Sequence, residues 1–389
     1  MTDEAFVQGI VAAVGGVTGG NAPLHVPDLA GNEWAYVKEC LDTGWVSTAG
    51  AYVGRFEAML AEYTGARNAI AVVNGTAALH ACLMAVGVGP GDEVICPAAT
   101  FVATANAITY QGAVPHFVDV REVDLGLDVG RLDTHLADIG ERRGGVLTNR
   151  LTGRRIAAVV PMHSFGHPVD LDALVEVCAR HGVTLVEDAA ESLGSFYRGK
   201  HTGRFGAVAA LSFNGNKVVT TGGGGAVLTD DDALAARLRH LTTTAKQPHR
   251  WEFIHDCIGY NYRMPNVNAA IGCGQMELLP RYVAEKRVVA QRYLDAFATL
   301  PGVRAVAEPS GCQSNYWLNV IVLDRSRAYL RDAVLAATND AGLMTRPLWR
   351  PMHLLPMFGD CPRMELGVTE DLYARLINLP SSPALGRRD

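Results

Sequence analysis

AVAALSFNGNKVVTTGGGGAVLT, residues 207–229, sets two apolar runs on either side of one lysine and a block of four glycines. The first run, residues 207–213, is apolar almost throughout, as a strand buried on both faces is. The second, residues 225–228, follows directly after the glycines. A lone lysine after a strand is ordinarily a solvated surface charge. Lys217 differs because the strand before it reads as buried and because Gly222-Gly223-Gly224-Gly225 lets the backbone approach something closely.

Five further apolar runs lie upstream, at residues 69–73, 93–96, 116–118, 156–161 and 184–186. Helix-like patterns at residues 76–86, 100–110 and 170–181 separate several of them. Fully apolar strands joined by helices predict an α/β fold around a mostly parallel mixed sheet covered on both faces. Residues 32–43 predict a helix with Asn32 as its cap and Gly44 as its stop, and residues 55–63 another that ends near Gly65. Residues 142–155, polar and glycine-bearing, predict an exposed hairpin or loop. A long helix from about residue 266 to 294 leads into a smaller C-terminal α/β lobe with a strand at residues 316–322. The expected organisation is an N-terminal amphipathic arm (1–20), a large domain (21–265), and a small C-terminal domain with its linking helix (266–389).

A length of 389 residues fits this division, and 49% hydrophobic residues allow a sizeable core. The net charge of −6, with no basic patch, argues against nucleic acid as a partner. The eight cysteines are scattered without a Cys-x-x-Cys pair, so neither a zinc site nor a disulfide framework is expected, and no metal is assigned. The N-terminus MTDEAFVQGI is acidic and lacks a long apolar stretch. No membrane span is expected, and the cytoplasm is the expected compartment.

Asp188 closes the run Thr184-Leu185-Val186-Glu187-Asp188. An aspartate there is often a turn former, but in an open α/β sheet the carboxyl ends of the strands are where ligands bind. A carboxylate at that place can hold a pyridine nitrogen protonated. Asn74-Gly75-Thr76-Ala77 opens a helix, and free N–H groups with the helix dipole suit a phosphate. Ser212 can add a hydroxyl to the same phosphate. Phe101 reads as a core residue on periodicity and as a stacking face in the sharper reading. His163, after Val159-Val160-Pro161-Met162, reads equally as structural or catalytic. A lysine for a Schiff base, an acid for a pyridinium nitrogen and a helix N-terminus for a phosphate are what pyridoxal 5′-phosphate (PLP) requires.

These motifs together resemble the DegT/DnrJ/EryC1/StrS sugar aminotransferases, PLP enzymes of fold type I (aspartate aminotransferase-like). The likeness runs from about residue 23 to 385 and rests on Asn74-Gly75-Thr76-Ala77-Ala78-Leu79, Thr100-Phe101-Val102-Ala103-Thr104, Glu187-Asp188-Ala189-Ala190-Glu191-Ser192-Leu193-Gly194, Ser212-Phe213 with Lys217, and Gly259-Tyr260-Asn261-Tyr262-Arg263-Met264. The resemblance implies that Lys217 forms the Schiff base, Asp188 pairs the pyridine nitrogen and Phe101 stacks on the ring. It implies that Glu191 sits near the ring hydroxyl, where relatives often carry Gln or His. Gly75, Thr76, Ala77 and Ser212 would hold the phosphate, joined by Asn261 from the partner subunit of a homodimer.

Gly44-Trp45-Val46-Ser47-Thr48, Thr242-Thr243-Thr244-Ala245-Lys246 with His249-Arg250-Trp251-Glu252-Phe253, and Asn315-Tyr316-Trp317-Leu318-Asn319 resemble the legionaminic-acid-pathway branch of that family. The implied reaction aminates C4 of UDP-2-acetamido-2,6-dideoxy-hexos-4-ulose, with L-glutamate as donor and pyridoxamine 5′-phosphate between the two halves. Ser47, His163, Arg250 and Tyr316 are the expected substrate contacts, Arg250 because a guanidinium suits a diphosphate or carboxylate. The alternatives are a GDP-perosamine-type 4-aminotransferase, a PLP-dependent sugar dehydratase and a non-catalytic regulatory relative. The dehydratases carry His at the lysine position, where this chain has Lys217.

Overall fold

Seven strands make the central sheet of the computed structural model, which describes residues 1–387 of the chain. They are β1 (Asn68–Val72), β2 (Glu93–Pro97), β3 (Val114–Val118), β4 (Ile156–Val159), β5 (Thr184–Asp188), β6 (Val208–Ser212) and β7 (Gly225–Thr229). Their order across the sheet is β1-β7-β6-β5-β4-β2-β3. The pairs from β6 through β5, β4 and β2 to β3 are parallel, and β7 runs antiparallel to both β6 and β1. All seven predicted apolar runs are strands, with ends shifted by a residue or two.

The strands read as continuous apolar runs because helices cover both faces. Successive residues of β1 part between two cores. Ala69 and Ala71 face Phe56 and Leu60 of the helix Ala51–Thr64 and Met276 and Leu279 of the helix Asn266–Ala298. Ile70 and Val72 face Leu79 of the helix Gly75–Ala85 and Leu238 of the helix Asp232–Thr242. This is the period-2 alternation of a strand.

The C-terminal lobe is an antiparallel sheet of β8 (Val303–Ala305), β9 (Asn319–Leu323), β10 (Arg346–Pro347) and β11 (Leu376–Leu379), in the order β8-β9-β11-β10. The strand expected at residues 316–322 begins later, at Asn319, because Tyr316 takes a positive φ of 46° and turns the chain. The expected hairpin pairs Gly140–Arg143 with Val146–Asn149, but one side of it is buried: Asn149 Nδ2 donates to Glu93 Oε2 at 2.9 Å.

Residues 1–20 are not an arm. Thr2 caps a helix, Asp3–Thr18, whose Phe6, Ile10 and Val14 pack with Val289, Tyr293, Ile321 and Val334. Their i, i+4 spacing gives the helix one apolar stripe, and the C-terminal lobe covers it.

Candidate active site

Lys217 sits at the turn between β6 and β7. Its N–H donates to Asn214 O at 2.9 Å, and Phe213 N donates to Gly224 O at 2.8 Å where the loop closes. The closure explains a glycine: a Cβ on Gly224 would lie 2.7 Å from the Met264 methyl. Trp317 Nε1 donates to Asn216 O at 2.7 Å and pins the loop from the lobe side. The Lys217 ammonium lies 3.8 Å from the Trp317 ring centroid and 3.2 Å from Glu191 Oε1.

Asp188, 2% exposed, ends β5. Its Oδ2 accepts from Thr104 Oγ1 at 2.7 Å and its Oδ1 from Ala190 N at 3.2 Å. Burial pushes this carboxyl above its usual range against those two hydrogen bonds. A cation set against it restores the charged form, and a protonated pyridine nitrogen is such a cation. Glu191 is also buried, and its Oε2 accepts from Phe165 N at 2.8 Å. Burial raises its carboxyl to about 7, although Lys217 pulls the other way.

At the other end of the cavity the helix Gly75–Ala85 begins. Asn74 caps it by accepting from Ala77 N at 2.8 Å, and Ala78 N donates to Asn74 O. The Gly75 and Thr76 N–H groups keep no partner within the helix, as first-turn donors do. A Cβ on Gly75 would come within 2.9 Å of Ser212 Oγ, so glycine lets the helix start against that hydroxyl. All these groups line one cavity of about 560 Å³, together with Phe101, Met162, Trp317, Trp349, Arg346 and Arg350. A lysine, a buried acid that a cation would ionise, and a helix start with free donors beside a hydroxyl fit PLP. A wider cleft of about 980 Å³ at Arg131, His135, Arg363 and Glu365 contains none of these groups.

Residues 27–389 match the model of the DegT/DnrJ/EryC1/StrS aminotransferase family. The chain belongs to that family. It is therefore a PLP-dependent aminotransferase, and its fold is that of the family's solved members. It is 38% identical over 369 residues to GDP-perosamine synthase of Caulobacter vibrioides, covering 94% of each chain. It is 39% identical over 363 residues to GDP-perosamine synthase of Escherichia coli O157:H7, covering 93% of this chain and 94% of the relative. The aminotransferase TlmJ of Streptoalloteichus hindustanus superposes with a TM-score of 0.84 at 33% identity, covering 94% of each chain.

The structure brings Lys217, Asp188, Glu191, Gly75, Thr76, Phe101 and Ser212 to this family member's cavity. Six expected contacts, Ala77, His163, Tyr316, Ser47, Arg250 and Asn261, do not line this chain's cavity. The Ala77 N–H is taken by the Asn74 cap and does not face the cavity. His163 is fully buried: it accepts from Val169 N at Nδ1 (3.3 Å) and meets Glu187 Oε2 at 3.1 Å through Nε2. Met162 pairs beside Asp188 and lines the cavity, so the next residue points to the opposite face, where Glu187 also lies. Tyr316 is buried with its OH accepting from Glu308 N at 3.0 Å, and its neighbour Trp317 reaches the cavity instead. Ser47 and Arg250, with Asn261, lie exposed outside this chain's cavity. The motif reading missed Thr104, Trp349, Arg346, Arg350 and Asn378. Thr104 was within a quoted motif, and its place one turn after Thr100 on a helix start was the available signal.

None of the described helices is long and apolar enough to cross a membrane. Among the described residues, one group could hold a metal, His240, Asp256 and Cys257, and it lies outside the cavity.

Proposed function

We propose that this chain transfers the amino group of L-glutamate to C4 of a nucleotide-linked 4-keto-6-deoxy sugar. The observation that carries this reading is one cavity holding Lys217, Asp188, Glu191 and the helix start at Gly75. When bound, PLP supplies a carbonyl for imine formation and a ring that accepts the electron pair left when a carbon loses its proton. Lys217 Nζ would take the proton from Cα of the donor amino acid and pass it to the cofactor carbon that carried the imine, and in the second half it would move a proton from that carbon to C4 of the sugar. Glu191 Oε1 lies 3.2 Å from Nζ, and burial raises its carboxyl to about 7. Asp188 holds the proton on the pyridine nitrogen. The Gly75 and Thr76 N–H groups with the Ser212 hydroxyl would hold the phosphate, and Phe101 would offer a face to the ring. Trp317 over Lys217 keeps water off the amine.

Under this reading the preferred sugar is UDP-2-acetamido-2,6-dideoxy-hexos-4-ulose. Its support is the motif likeness at residues 44–48 and 242–253. The expected result is a higher kcat/KM for this substrate than for GDP-4-keto-6-deoxymannose. A second reading has support of its own, because relatives at 38% and 39% identity are GDP-perosamine synthases. Equal or reversed ratios would favour that reading.

The working unit in this proposal is a homodimer with shared sites. Its support is an exposed apolar surface on the loops that carry Ser47 and Arg250: Trp45 is 59% exposed, Trp251 69%, Phe253 78% and Ile258 83%. Large apolar side chains held this far out of the core suit an interface with a second copy. Asn261 follows the same loop and reaches the partner's phosphate. Mixing Lys217→Ala and Asn261→Ala chains tests this. If each parent is inactive and subunits exchange at random, half of the dimers are mixed. Each mixed dimer has one intact site, giving roughly a quarter of wild-type activity by two-fold symmetry. No recovery in the refolded mixture counts against shared sites.

A further inference from the structure

We infer that Arg346, Arg350 and Asn378 form an anion subsite on the lobe side of the cavity, which takes the carboxylate or diphosphate oxygens of a substrate. The inference rests on the aminotransferase reading proposed above. It begins from charge. Five ionisable groups of opposite sign line the cavity: Lys217, Arg346 and Arg350 against Asp188 and Glu191. Lys217 pairs with Glu191, and Asp188 is bonded to Thr104 and Ala190. Neither arginine has a carboxylate partner among the described residues. Elsewhere on the lobe Arg287 pairs with Glu308, and Arg375 with Glu122 and Asp371. The lobe side of the cavity therefore keeps two uncompensated cations in a chain whose net charge is −6.

The two guanidiniums are also held in place. Arg346, on β10, donates from one amino nitrogen to Thr345 O at 2.7 Å and Asn339 Oδ1 at 3.0 Å. Arg350 donates from Nε to Leu354 O at 3.2 Å, which leaves both of its terminal amino groups open. Between them Trp349 stacks on Phe165 at 4.8 Å and 14°, and meets Phe101 edge-on at 6.4 Å. Pro347 and Pro351 fix φ on either side of Trp349. Both arginines are exposed, yet each is tethered on the cavity's rim. A guanidinium positioned in advance loses less freedom when it meets a planar anion.

Asn378 supplies an independent observation. It lines the same cavity and is 4% exposed. Its Nδ2 donates to Arg346 O at 3.3 Å and Pro347 O at 2.9 Å, which fixes the amide's orientation. Its Oδ1 has no partner. Buried acceptors without donors are rare in folded chains, and this one lines the same cavity as two guanidiniums that lack a carboxylate partner, which suits a ligand that carries both an anion and a donor. An amino acid carries a carboxylate beside an ammonium. A nucleotide sugar carries a diphosphate between hydroxyl-bearing rings. The cofactor phosphate is assigned elsewhere, to Gly75, Thr76 and Ser212.

The test is calorimetric titration of the PLP-loaded protein with three unreactive probes: glutarate, UDP and GDP. Arg346→Gln and Arg350→Gln are each expected to weaken at least one probe by about 10- to 100-fold, the range of a charged hydrogen bond in a half-open site. Arg346→Lys, which keeps the charge but loses the fork, is expected to fall between. A loss confined to glutarate assigns the donor's carboxylate, and one confined to UDP and GDP assigns the diphosphate; either supports the subsite. Wild-type protein that binds none of the probes overturns it, as do variants that bind all of them like wild type. Variants that lose the visible absorbance of bound PLP also overturn it, because the arginines would then serve the cofactor. Wild-type protein that fails to bind PLP or to transaminate would sink the proposed function itself, a separate outcome.

Discussion

Lys217→Ala is expected to lose at least about 10³-fold in turnover while keeping its fold, because no other described amine lines the cavity to form the imine or move the proton. The structural cost is small and depends on pH in a definite direction. Lys217 contributes an ion pair to Glu191 and a contact with the Trp317 ring, not core packing. Glu191 already stands at about 7, raised first by burial and lowered by Lys217. Without Lys217 its pKa rises further. A carboxyl whose folded pKa lies above its unfolded value stabilises the fold at low pH and loses that contribution as pH rises. With both proteins free of PLP, the variant's Tm should therefore match wild type near pH 6 and fall behind it near pH 8. Thermal melts at the two pH values check this, and normal turnover by the variant would remove Lys217 from its role.

Asp188→Asn is expected to bind PLP yet slow both half-reactions by about 10²- to 10³-fold, the usual loss when a charge-stabilising group is neutralised in a closed site. The fold should tolerate the change. The new amide oxygen can still accept from Ala190 N. The Thr104 hydroxyl, which donates to Asp188 and lies 2.9 Å from Thr100 Oγ1, can reverse and accept from the amide nitrogen. What is lost is the negative charge that holds the pyridine nitrogen protonated. Single-turnover rates with glutamate measure it. A near-wild-type rate would mean that another group carries the charge.

The parts of the site on β5, on the β6–β7 turn and at the start of the helix Gly75–Ala85 were legible because each is local. A buried strand, its end residue and the next turn are contiguous in sequence, so Asp188, Lys217 and Gly75 could be placed at strand or helix ends without knowing the tertiary fold. Excluding His163 needed the pairing of two distant segments as well. Glu187 and Asp188 are adjacent on a strand and so point to opposite faces, and His163 follows Met162, the residue that pairs with Asp188. Its partner Glu187 accepts from Phe205 N, Gly206 N and Gly203 N, a buried structural anchor that no motif announces. Tyr316 failed for a different reason. Its left-handed φ reverses which residue of Asn315-Tyr316-Trp317 reaches inward, and a tyrosine gives no sequence signal for that conformation. Arg346 and Arg350 stayed invisible because β10 comes to the cavity only when the lobe docks. The first helix showed the same limit: its stripe of Phe6, Ile10 and Val14 marked an apolar face but not the lobe that covers it.

The most direct measurement follows the visible absorbance of the PLP-loaded wild-type protein as L-glutamate, then the UDP-linked 4-keto sugar, is added. Lys217 in Schiff-base linkage gives a visible band. The predicted result is bleaching of that band by glutamate with one equivalent of 2-oxoglutarate released per site, and its return on addition of the sugar, with a 4-amino sugar as product. A protein without the band, or a band that glutamate leaves unchanged, would contradict the account.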